Sequence, residues 1–175
     1  MSEIDSSKVR LALPQEAAAI AQLQHSQLLA DEKLAAAANQ LDVEAMSAAW
    51  HKAISAPPLA TYRVLVAVSG EQVVGFAAIG PSEDPDANEG DCVVTEFRVG
   101  EGDTEDGTPD RLLHAVIDTL RMDGFERATW WVQSSDDALR SWLTETGWVP
   151  DGAHEEIGDE HGNHVRLIRM HTLLS

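Results

Sequence analysis

Apolar residues change period several times along this 175-residue chain, and each change predicts an element. VRLAL (Val9 to Leu13) alternates as a strand does and is closed by Pro14. Pro14 then opens a helical stretch with Ala17, Ile20, Leu23 and Leu28 on its apolar side. The alanine-rich piece Asp31 to Ala38 continues as helix. Asp42 stands where an N-cap belongs, before a segment with Val43, Met46, Trp50, Ala53 and Ile54 on one face, ended by Pro57 and Pro58. RVLVAV (Arg63 to Val68) and QVVGFAAIG (Gln72 to Gly80) flank a short link containing Gly70 and read as a hairpin.

The polar segment PSEDPDANEGD reads as a solvated loop, and DCVVTEFRV (Asp91 to Val99) as a strand with Val93, Thr95, Phe97 and Val99 sharing one face. From Thr108, the residues Leu112, Leu113, Val116, Ile117 and Leu120 repeat at helical spacing until Asp123 and Gly124. ATWWVQ (Ala128 to Gln133) reads as a buried strand. SSDDALRSWLTETG is a short helix, with Ser134 and Asp137 at capping-box spacing and Gly147 at its stop. Two strands, about Trp148 to Ile157 and Val165 to Leu173, end the chain. No repeat or linker divides it, so residues 1–175 are expected to form a single α/β (mixed α+β) domain, a mixed sheet with helices on both faces.

Charge narrows the partners. Against 12 Lys+Arg stand 30 Asp+Glu, a formal net charge of -18, and that field repels nucleic acid and anionic lipid. It would draw in a cationic amine, although acidic surfaces also serve solubility alone. The single cysteine, Cys92, has no disulfide partner in the chain and sits in an apolar run, as a buried, inert thiol would. MSEIDSSKVR lacks the pattern of a leader, and no apolar run is long enough to cross a bilayer. A soluble, cytoplasmic protein without membrane partners is the expectation.

The succession EFRV, GTPDRLLHAVIDTLRMDGF, TWWV and DDALRSWLTETGW, in this order of elements, resembles the GNAT superfamily of acyl-CoA-dependent N-acetyltransferases from about Val9 to Leu174. The resemblance implies a central, mostly antiparallel sheet of about seven strands, splayed beside the fourth. The pantetheine arm of acetyl-CoA would lie in the splay against the main chain at Phe97 and Val99. The backbone from Gly107 to Arg111, with Thr108 and Asp110, would hold what it can of the pyrophosphate. Of the six loop positions Thr104 to Pro109, only Gly107 matches the family's Gln/Arg-x-x-Gly-x-Gly/Ala pattern.

The chemistry of such a loop is a set of backbone N–H groups aimed at phosphate, and Pro109 has none to give. Glu101, Asp103, Glu105, Asp106 and Asp110 crowd the segment, with only Arg98 and Arg111 to answer them. One carboxylate about 4 Å from a phosphate costs about 1 kcal/mol even in water. The same acids suit a helix N-terminus. The family's usual base position falls on Val93 and its usual acid position on Leu143. Glu96 becomes a candidate base only if the strand carries a bulge, and is otherwise a solvent-facing or paired carboxylate. Tyr62, the only tyrosine, precedes the second strand.

His154, His161, His164 and His171 lie among acids in the tail, and a polar hairpin tip explains them without a metal. Trp130 and Trp131 point to opposite faces of their strand, so one of them can border an acceptor cleft. Trp50 has the spacing of a core residue.

Three functions stand open. The first is an acyl-CoA-dependent N-acetyltransferase acting on a small-molecule or peptide amine, cationic in keeping with the acidic exterior. The second is a degenerate GNAT domain that has lost CoA and serves as a ligand-binding or oligomerisation module. The third is a transferase whose acyl donor carries fewer phosphates. A homodimer is one of the oligomeric states left open.

Overall fold

A computed structural model describes residues 7–174. Residues 1–6, which carry most of the stretch inspected for a leader, lie outside the described residues. The strands β1 (Lys8–Leu11), β2 (Arg63–Ser69), β3 (Gln72–Pro81), β4 (Asp91–Val99), β5 (Arg127–Gln133), β6 (Val149–Gly158) and β7 (His164–Leu173) form one sheet. Their order is β1-β2-β3-β4-β5-β7-β6. Every neighbouring pair is antiparallel except β4 with β5. Among the described residues no helix is long and apolar enough to cross a membrane.

The helices are α1 (Ala17–Ala30), α2 (Ala35–Ala38), α3 (Val43–Ser55), α4 (Thr108–Met122) and α5 (Asp137–Glu145). Pro14 starts a single 3-10 turn that leads into α1. Asp42 caps α3 by accepting from the Glu44 N–H, as its short polar side chain before an apolar-periodic run implies. The apolar stripe of α4 buries Leu112, Leu113, Val116 and Leu120 against one face of the sheet, together with Leu143 of α5. Ile20 of α1 packs with Val66 and Phe76 on the other face, where Trp50 of α3 meets Phe76 edge-on at 5.3 Å. Trp50 is half-buried and packs against this core, on the side its spacing predicted. Gly70, Gly124 and Gly147 take positive φ where the hairpin and two helices end.

Three expectations are corrected. The cap of α5 is Asp136, whose carboxylate accepts the Leu139 N–H, and not Ser134. The alternation of β4 breaks: Ala78 pairs with Glu96 but Ile79 with Val94, so Thr95 is an extra residue and the strand is bulged there. Val94, Phe97 and Val99 therefore pack into one cluster, and Val93 lies on the opposite face with Glu96. Third, the acidic loop after β3 is fastened rather than loose. Arg169, on β7, reaches Asp84 at 3.0 Å, Asp86 at 2.7 Å and Asp151 at 2.6 Å. Arg127 adds Asp151 and Asp91, so two arginines hold four aspartates.

Candidate active site

The parallel ladder between β4 and β5 joins only Asp91–Val94 to Arg127–Trp130. Beyond it β5 stays with β7 while β4 follows β3, and the strands part. A cleft of about 720 Å³ fills the gap. Residues 95–99 of β4 form one wall and Trp130 to Gln133 of β5 the other, with α1 above and the starts of α4 and α5 at one end.

Ladder phase decides which backbone groups the cleft meets. The Gly100 N–H donates to the Val74 carbonyl at 2.8 Å, and the β3 register continues through Arg98 and Glu96. Antiparallel residues alternate between bonding inward and outward, so Phe97 and Val99 turn their N–H and C=O groups away from β3 and into the cleft. The Val99 carbonyl accepts from Gln27 Nε2 at 2.7 Å. The Phe97 ring packs at 5.0 Å from Trp130 and 5.6 Å from Trp142, giving the cleft an aromatic floor.

The bulge at Thr95 decides the position of Glu96. It brings this carboxylate onto the face of Val93, and Glu96 lines the cleft. Arg98 Nε donates to one oxygen at 2.8 Å and Gln24 Nε2 to the other at 3.0 Å. Trp50 Nε1 donates to Gln24 Oε1 at 2.8 Å, which leaves the Gln24 amide only its N–H₂ end to offer Glu96. A carboxylate held at both oxygens keeps a fixed orientation, with lone pairs left for one further donor.

The start of α4 offers anions little. Gly107 takes φ +85 and leads into the helix. The Asp106 carboxylate accepts the Thr108 N–H at 2.9 Å, and Pro109 has no N–H. Of the first-turn amides only that of Asp110 is left. The Asp110 carboxylate lines the cleft and accepts from Trp142 Nε1 at 3.0 Å. Thr108 is fully buried, bonded to Ser7 at 2.7 Å. Arg111 also turns to Ser7, at 2.8 Å, with its guanidinium over Gly107. Phe97, Val99 and Asp110 thus line the cleft, whereas Gly107, Thr108 and Arg111 stand behind its rim.

The other candidates fall elsewhere. Leu143 is core and Tyr62 stands in a separate small cavity. Cys92 is buried, and desolvation pushes its thiol up to about 12. His171 receives Arg127 Nε at 3.0 Å, while His161 lies in the β6–β7 turn. Sequence reasoning missed Gln24 and Gln27 of α1 and Asp31 just after it, which follow one another at helical spacing. That spacing was the signal, and Gln22, His25 and Ser26, polar residues on other sides of the helix, obscured it. Asp31 accepts from Gln133 at 2.8 Å and Lys33 donates to Ser135 at 3.0 Å, so α1 and its following turn are clasped to β5 across the cleft.

No family model and no curated protein matches the sequence. Solved structures do match in three dimensions. An acetyltransferase of the GNAT family from Streptococcus pneumoniae superposes with a TM-score of 0.73 at 22% identity, over 95% of this chain and 99% of that one. A Salmonella typhimurium protein solved with its cofactor acetyl-CoA gives 0.76 at 21% identity, over 97% and 95%. A ribosomal-protein-alanine N-acetyltransferase from Brucella melitensis gives 0.75 at 17%, over 95% and 99%. What these likenesses establish is a shared fold.

Proposed function

We propose that this chain, whose fold is that of the GNAT acetyltransferases, is itself an acyl-CoA-dependent N-acetyltransferase acting on a small-molecule or peptide amine. The observation that carries the reading is the main chain of Phe97 and Val99 opening into an aromatic-floored cleft beside a bulge that delivers Glu96. The acetyl-CoA in the Salmonella typhimurium structure supports the choice of donor.

The cleft fits the pantetheine arm: its floor is aromatic and it is edged with strand backbone turned away from β3, where the Val99 carbonyl already accepts an amide N–H from Gln27. The start of α4 fits the pyrophosphate poorly, with one first-turn amide to give and the Asp110 carboxylate beside it. When bound, the donor supplies an electrophilic thioester carbonyl. As the N–C bond forms and the C–S bond breaks, the amine gives up one proton and the departing thiolate takes one. In this reading the Phe97 N–H polarises the carbonyl, and Glu96, held by Arg98 and Gln24, accepts the amine proton, directly or through water.

The weak phosphate end favours a second reading, a GNAT domain that no longer binds CoA. Calorimetric titration with acetyl-CoA separates the two. A Kd tighter than about 100 μM, with amine-dependent thiol release, is the expected result. No heat at millimolar acetyl-CoA from folded protein would overturn the transferase reading and leave the second.

A further inference from the structure

A second cavity, of about 230 Å³, adjoins the cleft through Thr95 and Trp131, which line both. It begins where the bulge of β4 meets the splay of β5 and runs to the surface at Glu83. One wall is the Tyr62 ring. That ring lies flat on β3 because residue 80 is glycine: a Cβ there would stand 2.5 Å from Tyr62 Cδ1. The other wall is Trp131, whose Nε1–H is held by Asp84 at 3.1 Å and whose ring has the Arg169 guanidinium 5.5 Å from its centroid.

At the outer end Glu83 accepts the Tyr62 hydroxyl at 2.8 Å. That bond raises the Tyr62 phenol above its ordinary value, so the phenol remains the donor to Glu83. The cations of this region are committed elsewhere. Arg169 goes to Asp84, Asp86 and Asp151, and Arg63 to Asp123. Among the described residues no Lys, Arg or His forms an ion pair with Glu83. Two aromatic faces leading to an unpaired carboxylate make an environment that favours a cation over a neutral or anionic group.

We propose that this cavity is the acceptor pocket and that it selects a small amine bearing a second cationic group. The reacting nitrogen lies at Thr95, and the second cation lies between the Tyr62 face and Glu83. The division of labour follows from chemistry: the reacting nitrogen must be neutral to attack, so a charge that is recognised has to sit elsewhere on the molecule. The assignment of acceptor rests on the transferase reading, whereas the preference for a second cation rests on the cavity alone.

The test needs no donor. Trp fluorescence and calorimetry follow titration of the protein, at fixed ionic strength, with 1,4-diaminobutane and with n-butylamine. The diamine is expected to bind about tenfold tighter, and Glu83→Gln to abolish that margin. Glu89→Gln, an exposed loop carboxylate outside the cavity, is expected to preserve it. Equal binding of the two amines, or a margin that survives Glu83→Gln, would overturn the proposal, the latter by showing attraction to the general acidic field. A diamine margin in a protein that never binds acetyl-CoA would keep the pocket and discard the transferase. Turnover with indifference to the second charge would do the reverse.

Discussion

At the scale of single residues, position on the strand outweighs residue type. Glu96 is two positions from Val94 yet on the other face from it, and one extra residue, Thr95, puts it on the face of Val93. Its carboxylate orients without closing the cleft, so Glu96→Gln is expected to leave acetyl-CoA affinity unchanged and lower kcat by about 10²-fold. Equal turnover of the variant across the pH range would remove Glu96 from the mechanism. Gly80 shows a position set by a neighbour. Gly80→Ala drives a methyl into the Tyr62 ring and is expected to lower stability by about 1 to 3 kcal/mol, read from the denaturation midpoint. Cys92, with its thiol pushed up to about 12 by burial, should resist a thiol reagent at pH 8 until urea unfolds the chain.

At the scale of elements, the acidic loop after β3 and the start of α4 carry the surprises. Arg169 is almost fully buried, and Asp86 stands far more exposed at the end of its reach. Arg169→Met leaves Asp84 and Asp86 without an ion-pair partner, while Asp151 keeps Arg127, and is expected to cost about 3 kcal/mol at pH 7, the low end for a broken buried pair. Hydrogen bonding to Arg169 holds the Asp86 carboxyl at about 2, down from 3.8. A lowered carboxylate pKa gives stability that is whole above the unfolded value and is lost as pH falls through the folded one. The gap between wild type and Arg169→Met should therefore hold at pH 5 and shrink between about pH 4 and 2, as urea midpoints would record. At α4, where phosphate finds one amide, S-acetylpantetheine should bind within about tenfold of acetyl-CoA. A much larger gap would reveal phosphate contacts elsewhere. The periods of β2, β3 and α4 and the cap at Asp42 were legible because each is a local signal, complete within one turn of helix or a few strand residues. The bulge was not, since DCVVTEFRV carries no breaker and counting by twos runs out of phase after Thr95. Nor was the fastened loop, because Asp84 and Asp86 stand 85 and 83 positions from the arginine that pairs with them.

At the scale of the molecule, ion pairs match some of the 30 Asp+Glu with the 12 Lys+Arg, and the net charge of -18 is the excess of acids that no such pair can answer. Unpaired acids repel one another across the surface, so raising NaCl from about 10 to 200 mM should raise Tm by a few degrees. A flat or falling Tm would mean that the acids are already matched. The short parallel ladder between β4 and β5 has a consequence for how the sheet comes apart. Four paired residues on each strand join an amino-terminal set, β1 to β4, to a carboxy-terminal set, β5, β7 and β6. Each set is a run of antiparallel neighbours, whereas the seam needs the whole excursion through α4 to close. Amide protons at the seam should therefore exchange with solvent sooner than those inside either set, marking two cooperative units hinged along one short line. A ligand bridging the parted strands would protect both units together.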